Sequence, residues 1–138
     1  MEYLIGLILG FATVAFAASV GLDRDRAFYP TVAIVVASYY ALFAVMGASG
    51  RTLILEVLAA SVFLLLAVLG FKTNPWFVAA AIAGHGVFDF VHHLLIENPG
   101  VPRWWPGFCL TIDVTIGGWV ALRLMRRPGV LPTPDARK

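Results

Sequence analysis

The sequence predicts an all-α polytopic membrane protein, a bundle of five transmembrane helices with the N-terminus outside and the C-terminus in the cytoplasm. Three observations carry this expectation. The 138 residues are 60% hydrophobic and 13% charged, more apolar and less charged than soluble domains. Five apolar windows follow one another, each about 20 residues long and so able to cross roughly 30 Å of hydrocarbon as a helix. Short segments rich in turn residues or charge separate them. A membrane β-barrel is excluded because its strands would alternate apolar and polar residues. A soluble core domain is excluded because five such windows leave almost no polar surface to solvate it.

The first window is Tyr3–Leu22. Ala15-Phe16-Ala17 looks like a signal-peptidase site, but the head, Met1-Glu2-Tyr3, has no basic residue, so a retained helix is expected. It carries Gly6 and Gly10 in a GxxxG spacing, which lets helix backbones approach closely within the chain or in a homo-oligomer. After Asp23-Arg24-Asp25-Arg26 comes Ala27–Gly47, and after Ala48-Ser49-Gly50-Arg51 comes Thr52–Phe71. Lys72-Thr73-Asn74-Pro75 leads into Trp76–Ile96, and the segment from Glu97 to Arg103 leads into Gly107–Met125. Residues 1–127 thus form one transmembrane domain, and 128–138, rich in proline and polar residues, a flexible basic cytoplasmic tail.

Basic residues set the orientation. Arg24, Arg26, Lys72, Arg123, Arg126, Arg127, Arg137 and Lys138, eight of the ten Lys and Arg, fall on one side, while Arg51 and Arg103 face the other. The positive-inside rule makes the first side cytoplasmic and the location the cell (inner) membrane, multi-pass. The net charge of +2 is then a topology signal, and the expected partner is the lipid bilayer, not nucleic acid. A single cysteine, Cys109, excludes an intrachain disulfide and a multi-cysteine metal site. No internal repeat is visible.

Against this apolar background, ionisable residues inside the windows stand out, because a charge near mid-membrane costs about 2.5 to 3.5 kcal/mol even on lenient scales. They are Glu56, His85, Asp89, His92, His93 and Asp113, with Tyr39 and Tyr40 as milder cases. At about 1.5 Å of rise per residue, with the cytoplasmic boundary as origin, His85 lies at about 13 Å, Asp89 at about 20 Å and His92-His93 at about 25 Å. Asp113 falls at about 21 Å, Glu56 at about 24 Å and the tyrosines at about 18 to 20 Å. Four helices therefore deliver polar groups to one layer in the outer half of the bilayer. At 100° per residue His85, Asp89 and His92 form one stripe with His93 on its flank. Gly84 and Gly86 bracket His85 and remove side chains beside it.

Imidazole nitrogens and carboxylate oxygens converging from facing helices suit zinc or non-haem iron. The expected metal ligands are His85, Asp89, His92 and His93, with Glu56 and Asp113 completing the shell, orienting a histidine or serving as general base. Tyr39 or Tyr40 is placed to bind an oxyanion. Trp104 and Trp105, in the proline-rich loop ENPGVPRWWPGFC, read either as ordinary interfacial anchors or as a lid admitting a lipid-like ligand. The enzymatic expectation is a metal-dependent hydrolase of a lipid-like or small apolar substrate. Two rivals use the same groups: a transporter or binding module for protons, ions or small solutes, and a structural subunit whose polar layer fixes helix register by hydrogen bonds. Ser38, Ser61 and Thr115 are the best continuation of a transport path inward.

HGVFDFVHH, NPGVPRWWPGFC and Asp113 together resemble a family of small bacterial integral membrane proteins of unknown function, over about residues 84 to 113. The resemblance implies a shared polar site and no particular activity. In residue types alone the chain is also similar to the alkaline ceramidase and lysoplasmalogenase classes of intramembrane hydrolases, which use His and Asp within helical bundles. Those folds have more helices and a different motif order, so the similarity transfers no catalytic residue.

Overall fold

A computed structural model describes residues 1–126, and within them it is all-helical. The helices are α1 (Glu2–Val20), α2 (Phe28–Gly47), α3 (Gly50–Lys72), α4 (Trp76–His92) and α5 (Trp105–Met125), with a 3₁₀ turn at Leu22–Arg24. The expected tail, 128–138, and the basic residues Arg127, Arg137 and Lys138 lie outside the described residues.

Local chemistry sets the ends. Gly21 closes α1 in the left-handed conformation, φ 83°, which costs a glycine little. Ser49 caps α3 by accepting the Thr52 backbone N–H at 3.2 Å. Asn74 Oδ1 accepts the Trp76 N–H at 3.0 Å before α4. Pro106 sits in the first turn of α5, where a missing N–H costs nothing.

Four helices, α1, α2, α3 and α5, are long and apolar enough to cross a membrane. The fourth window departs from the expected Trp76–Ile96: α4 stops at His92 after 17 residues, about 26 Å of helix. Its last turn tightens through Leu94 N–H to Val91 O and Leu95 N–H to His92 O. Asn98 precedes a proline, which disfavours helical backbone there. Apolar character continued past the point where the helix ends, so hydropathy alone overran it.

Neighbouring helices alternate in direction. Glu56 meets His92 and Gly70 meets Val78 across α3 and α4. Gly86 meets Asp113 and Gly117 meets Ala83 across α4 and α5. α1 runs parallel to α5, with Gly6 against Phe108 and Thr111 and Gly10 against Ile112 and Thr115. The GxxxG pair is thus occupied within the chain, and the expected homo-oligomer through Gly6 and Gly10 would have to displace α5. α4 sits centrally, packed on α5, α3 and α2, while α1 and α2 lie on opposite flanks without packing along each other.

The interior combines small and polar residues with a few larger apolar ones such as Tyr29, Ile82 and Ile116. α2 buries Ala33, Ala37 and Ala44, α4 buries Ala79, Ala81 and Gly86, and large side chains such as Phe11, Leu58 and Leu65 point outward. Association between such helices relies on close backbone approach and polar contacts, because lipid solvates the outer leucines as well as protein would. Of the glycines bracketing His85, only Gly86 makes such an approach, 2.9 Å from its would-be Cβ to the Asp113 Cβ; Gly84 faces open space.

These contacts predict opposite outcomes for two adjacent glycines. Gly117→Leu forces a side chain onto Ala83 and should lower stability by about 1 to 3 kcal/mol. Gly118→Leu, with nothing within 4 Å, should leave the unfolding midpoint in detergent nearly unchanged.

Candidate metal centre

Burial separates the expected site residues. Glu56, His85, Asp89, His92 and Asp113 are buried polar groups, and Tyr40 is buried beside them. His93 is exposed at the end of α4, Tyr39 is half-buried, and Trp104 is exposed.

Two clusters occupy the layer where one was expected. In the first, His85 Nδ1 lies 2.9 Å from Asp113 Oδ2 and 3.5 Å from Asp89 Oδ2. Asp89 stands one turn above His85 on α4, and α5 brings Asp113 alongside because Gly86 and Gly117 let the two backbones close. One atom from each of the three residues lies within 4.8 Å of the others. This His85, Asp89 and Asp113 group could hold a metal ion.

In the second cluster, His92 Nε2 is 2.8 Å from Glu56 Oε1, which also accepts the Asn98 side-chain N–H at 2.8 Å. The other Asn98 interactions fasten the loop: its amide donates to Tyr40 O at 3.2 Å, and its Oδ1 accepts the Gly100 N–H at 3.2 Å. The Tyr40 ring tilts against His92 with centroids 4.1 Å apart. Between the clusters runs a slit lined by Tyr40, Glu56, Phe63, His85 and Phe88, with no room for a water molecule.

The stripe of His85, Asp89 and His92 is therefore buried as a face but does not converge on one point. Seven residues of rise separate the two histidines by about 10 Å along the axis, too far to share an ion. Angular reading gave direction and not reach. Asp113 takes the third place in the ion-sized group, His92 turns to Glu56, and His93 points away from both. Asn98 was missed altogether. Its only signal was its position in Asn-Pro-Gly, which reads as a turn.

Three features of the first cluster bear on a metal. A tetrahedral ion with bonds of about 2.0 to 2.1 Å spaces its ligands about 3.3 to 3.4 Å apart; the His85–Asp89 separation is 3.5 Å, His85 and Asp113 are hydrogen-bonded at 2.9 Å, and all three ligand atoms lie within 4.8 Å. Both Asp89 oxygens and Asp113 Oδ1 are buried without hydrogen-bond partners, although buried polar atoms are almost always satisfied. Two carboxylates with a neutral imidazole carry −2, which a divalent cation cancels. The second cluster is better bonded: among its groups Glu56 Oε2 and the Tyr40 hydroxyl are left over.

Trp105 packs edge-on against Tyr39 at 5.3 Å and Phe43 at 4.8 Å, and Trp104 tilts against Trp105. Tyr39 thus belongs to an aromatic cluster with the tryptophans and makes no hydrogen bond to either carboxylate group. No protein-family model, curated protein or solved structure matches the chain.

The division of labour can be measured. Asn98→Ala strands Glu56 Oε1 with one partner and frees the loop, and should destabilise the protein by about 1 to 3 kcal/mol in thermal or denaturant unfolding. Metal bound per chain should be unaffected.

Proposed function

We propose that the chain is a five-span protein of the cell membrane, its N-terminus outside, that holds zinc or iron at His85, Asp89 and Asp113 in the outer half of the bilayer. The activity this site supports best is metal-dependent hydrolysis of a lipid-like or small apolar substrate. The observation that carries the reading is the convergence of three ligand atoms in a group whose remaining buried oxygens have no partner. A metal there would supply the chemistry of activating water at neutral pH. His85, Asp89 and Asp113 would fix its geometry, and Tyr40, with a free buried hydroxyl and its ring centroid 6.4 Å from that of His85, would steady a developing oxyanion.

The orientation rests on the positive-inside rule alone, which would make cytoplasmic the end where α1, α2, α3 and α5 bring basic residues together. There Arg123 pairs with Asp23 at 2.7 Å and donates to the Asp23 carbonyl, and Arg26 sits over the Phe71 ring. α4 alone is short for a span, and the turn after His92 carries the chain through the remaining depth.

Transport of protons or solutes is the weaker reading. Below the site, Val78, Ala79, Ala81, Ile82, Ile116 and Val120 belong to a buried apolar core, so a path inward would cross dry packing. Ser38 and Ser61 are spent on carbonyls of their own helices, Val35 O and Val57 O, and Thr115 on Thr111 O. A structural role fits the Glu56, His92 and Asn98 cluster well but leaves the orphaned oxygens of Asp89 and Asp113 without an account.

Elemental analysis of protein purified without chelator tests the proposal. About one zinc or iron per chain is expected. The metal should be lost in His85→Ala, Asp89→Asn and Asp113→Asn and retained in His92→Ala and His93→Ala. A folded wild-type protein that stays metal-free after incubation with zinc or iron(II) would overturn it.

A further inference from the structure

A cavity of about 740 Å³ lies between the flanks formed by α1 and α2, with α5 as its back wall. Ile5 and Leu9 line one side, Val36 and Tyr39 the other, and Cys109 and Asp113 belong to the wall. Met1, Glu2 and Trp104 stand at its rim. Asp113 thus belongs to the metal-capable group and stands behind the cavity wall, fully buried, with Oδ1 unpartnered.

We propose that this cleft binds an uncharged single-chain amphipath, of the class of monoacyl esters, amides or long-chain alcohols, entering sideways from the bilayer between α1 and α2. It rests on the site reading above in one respect: the polar end of the ligand lies beside Asp113, with the metal-capable group behind it.

Four observations select that class. The volume falls within the roughly 300 to 1,000 Å³ of pockets that enclose one small molecule. Asp113 is eight residues below Trp105, about 12 Å beneath the rim, and a charged headgroup drawn to that depth costs several kcal/mol. The charges at the rim, the Met1 ammonium and Glu2, are already paired at 3.2 Å. A tail has a way out, because the flanking helices do not pack along each other and the side chains lining the cleft are mostly aliphatic and aromatic.

The occupant can be trapped. The full chain, in phosphatidylcholine vesicles, is irradiated with a trace of monoacylglycerol bearing a mid-chain diazirine, or with lysophosphatidylcholine carrying the same tagged chain, and labelled peptides are mapped. The monoacylglycerol should label Ile5–Leu9 and Phe108–Asp113 at least fivefold above the exposed Leu58–Leu65 face of α3, and the lysolipid should not. Leu9→Trp and, from the opposite flank, Val36→Trp fill the cleft and should each remove most of the enrichment. Labelling no stronger in the cleft than on α3, unchanged by both substitutions, or equal for the two probes overturns the proposal. Metal content of the same samples separates the two readings. Enriched labelling of a metal-free chain keeps the cleft and sinks the metal centre, and a metal-loaded chain without enrichment does the reverse.

Discussion

Everything in this bundle is arranged around two carboxylates facing one imidazole nitrogen in a medium that cannot solvate them. Burying an uncompensated charge is so costly that a group normally gives it up or finds a counter-charge. Asp89 and Asp113 have His85 Nδ1 at 3.5 and 2.9 Å, and Asp89 has the Cys109 thiol as a further polar neighbour. Bringing them there needs α4 and α5 at close approach. Gly86 and Gly117, each with backbone and Cβ atoms of the facing helix about 3 Å from where a side chain would begin, provide it. The glycines and the carboxylates are one device: the first set the helix separation, and the second use it.

The Glu56 cluster shows the contrast. There the same residue types are drawn into hydrogen bonds with His92 and Asn98, and the loop between α4 and α5 is pinned onto α2 as a consequence: Gly100 lies against Gly47 and the Phe43 carbonyl. Such bonds contribute only about 0.6 kcal/mol on average within membranes, rising to about 1.7, so this cluster fixes register more than it adds stability. A protein that wanted only register had the means in Glu56, His92 and Asn98. Asp89 does not follow that pattern, because neither of its oxygens has a hydrogen-bond partner.

Hydropathy made the helical fold legible, since five apolar windows separated by turn signals map closely onto α1 to α5. Depth arithmetic was equally informative about which side chains would be buried together. What it could not supply was distance across the bundle. Asp113 reaches His85 from α5 because Gly86 and Gly117 bring the two helices together, whereas His92 stands about 10 Å further along His85's own helix. Asn98 was invisible for a related reason: a loop residue folded back into the helices has no periodicity to betray it. The cleft was foreshadowed only through Trp104 and Trp105. Its walls come from α1 and α2, whose failure to pack together is a property of the whole arrangement and not of any motif.

That missing contact shapes the chemistry available to the site. From one end the Asn98 loop closes the bundle over Glu56, and from the other Ile82 and Ile116 sit in the apolar core beneath His85 and Asp113. If the bundle spans a membrane as proposed, access is left to the side, between aliphatic and aromatic side chains, and a ligand would enter from the bilayer. On this reading the effective substrate concentration is a mole fraction in the membrane, and selectivity begins with partitioning: a charged headgroup is rejected by depth before any contact is made. The wall that excludes bulk water also weakens dielectric screening around the carboxylates, so each ligand interaction there counts for more than it would at an aqueous surface. One geometric choice, leaving α1 and α2 apart, thus selects the class of molecule and strengthens the field it meets.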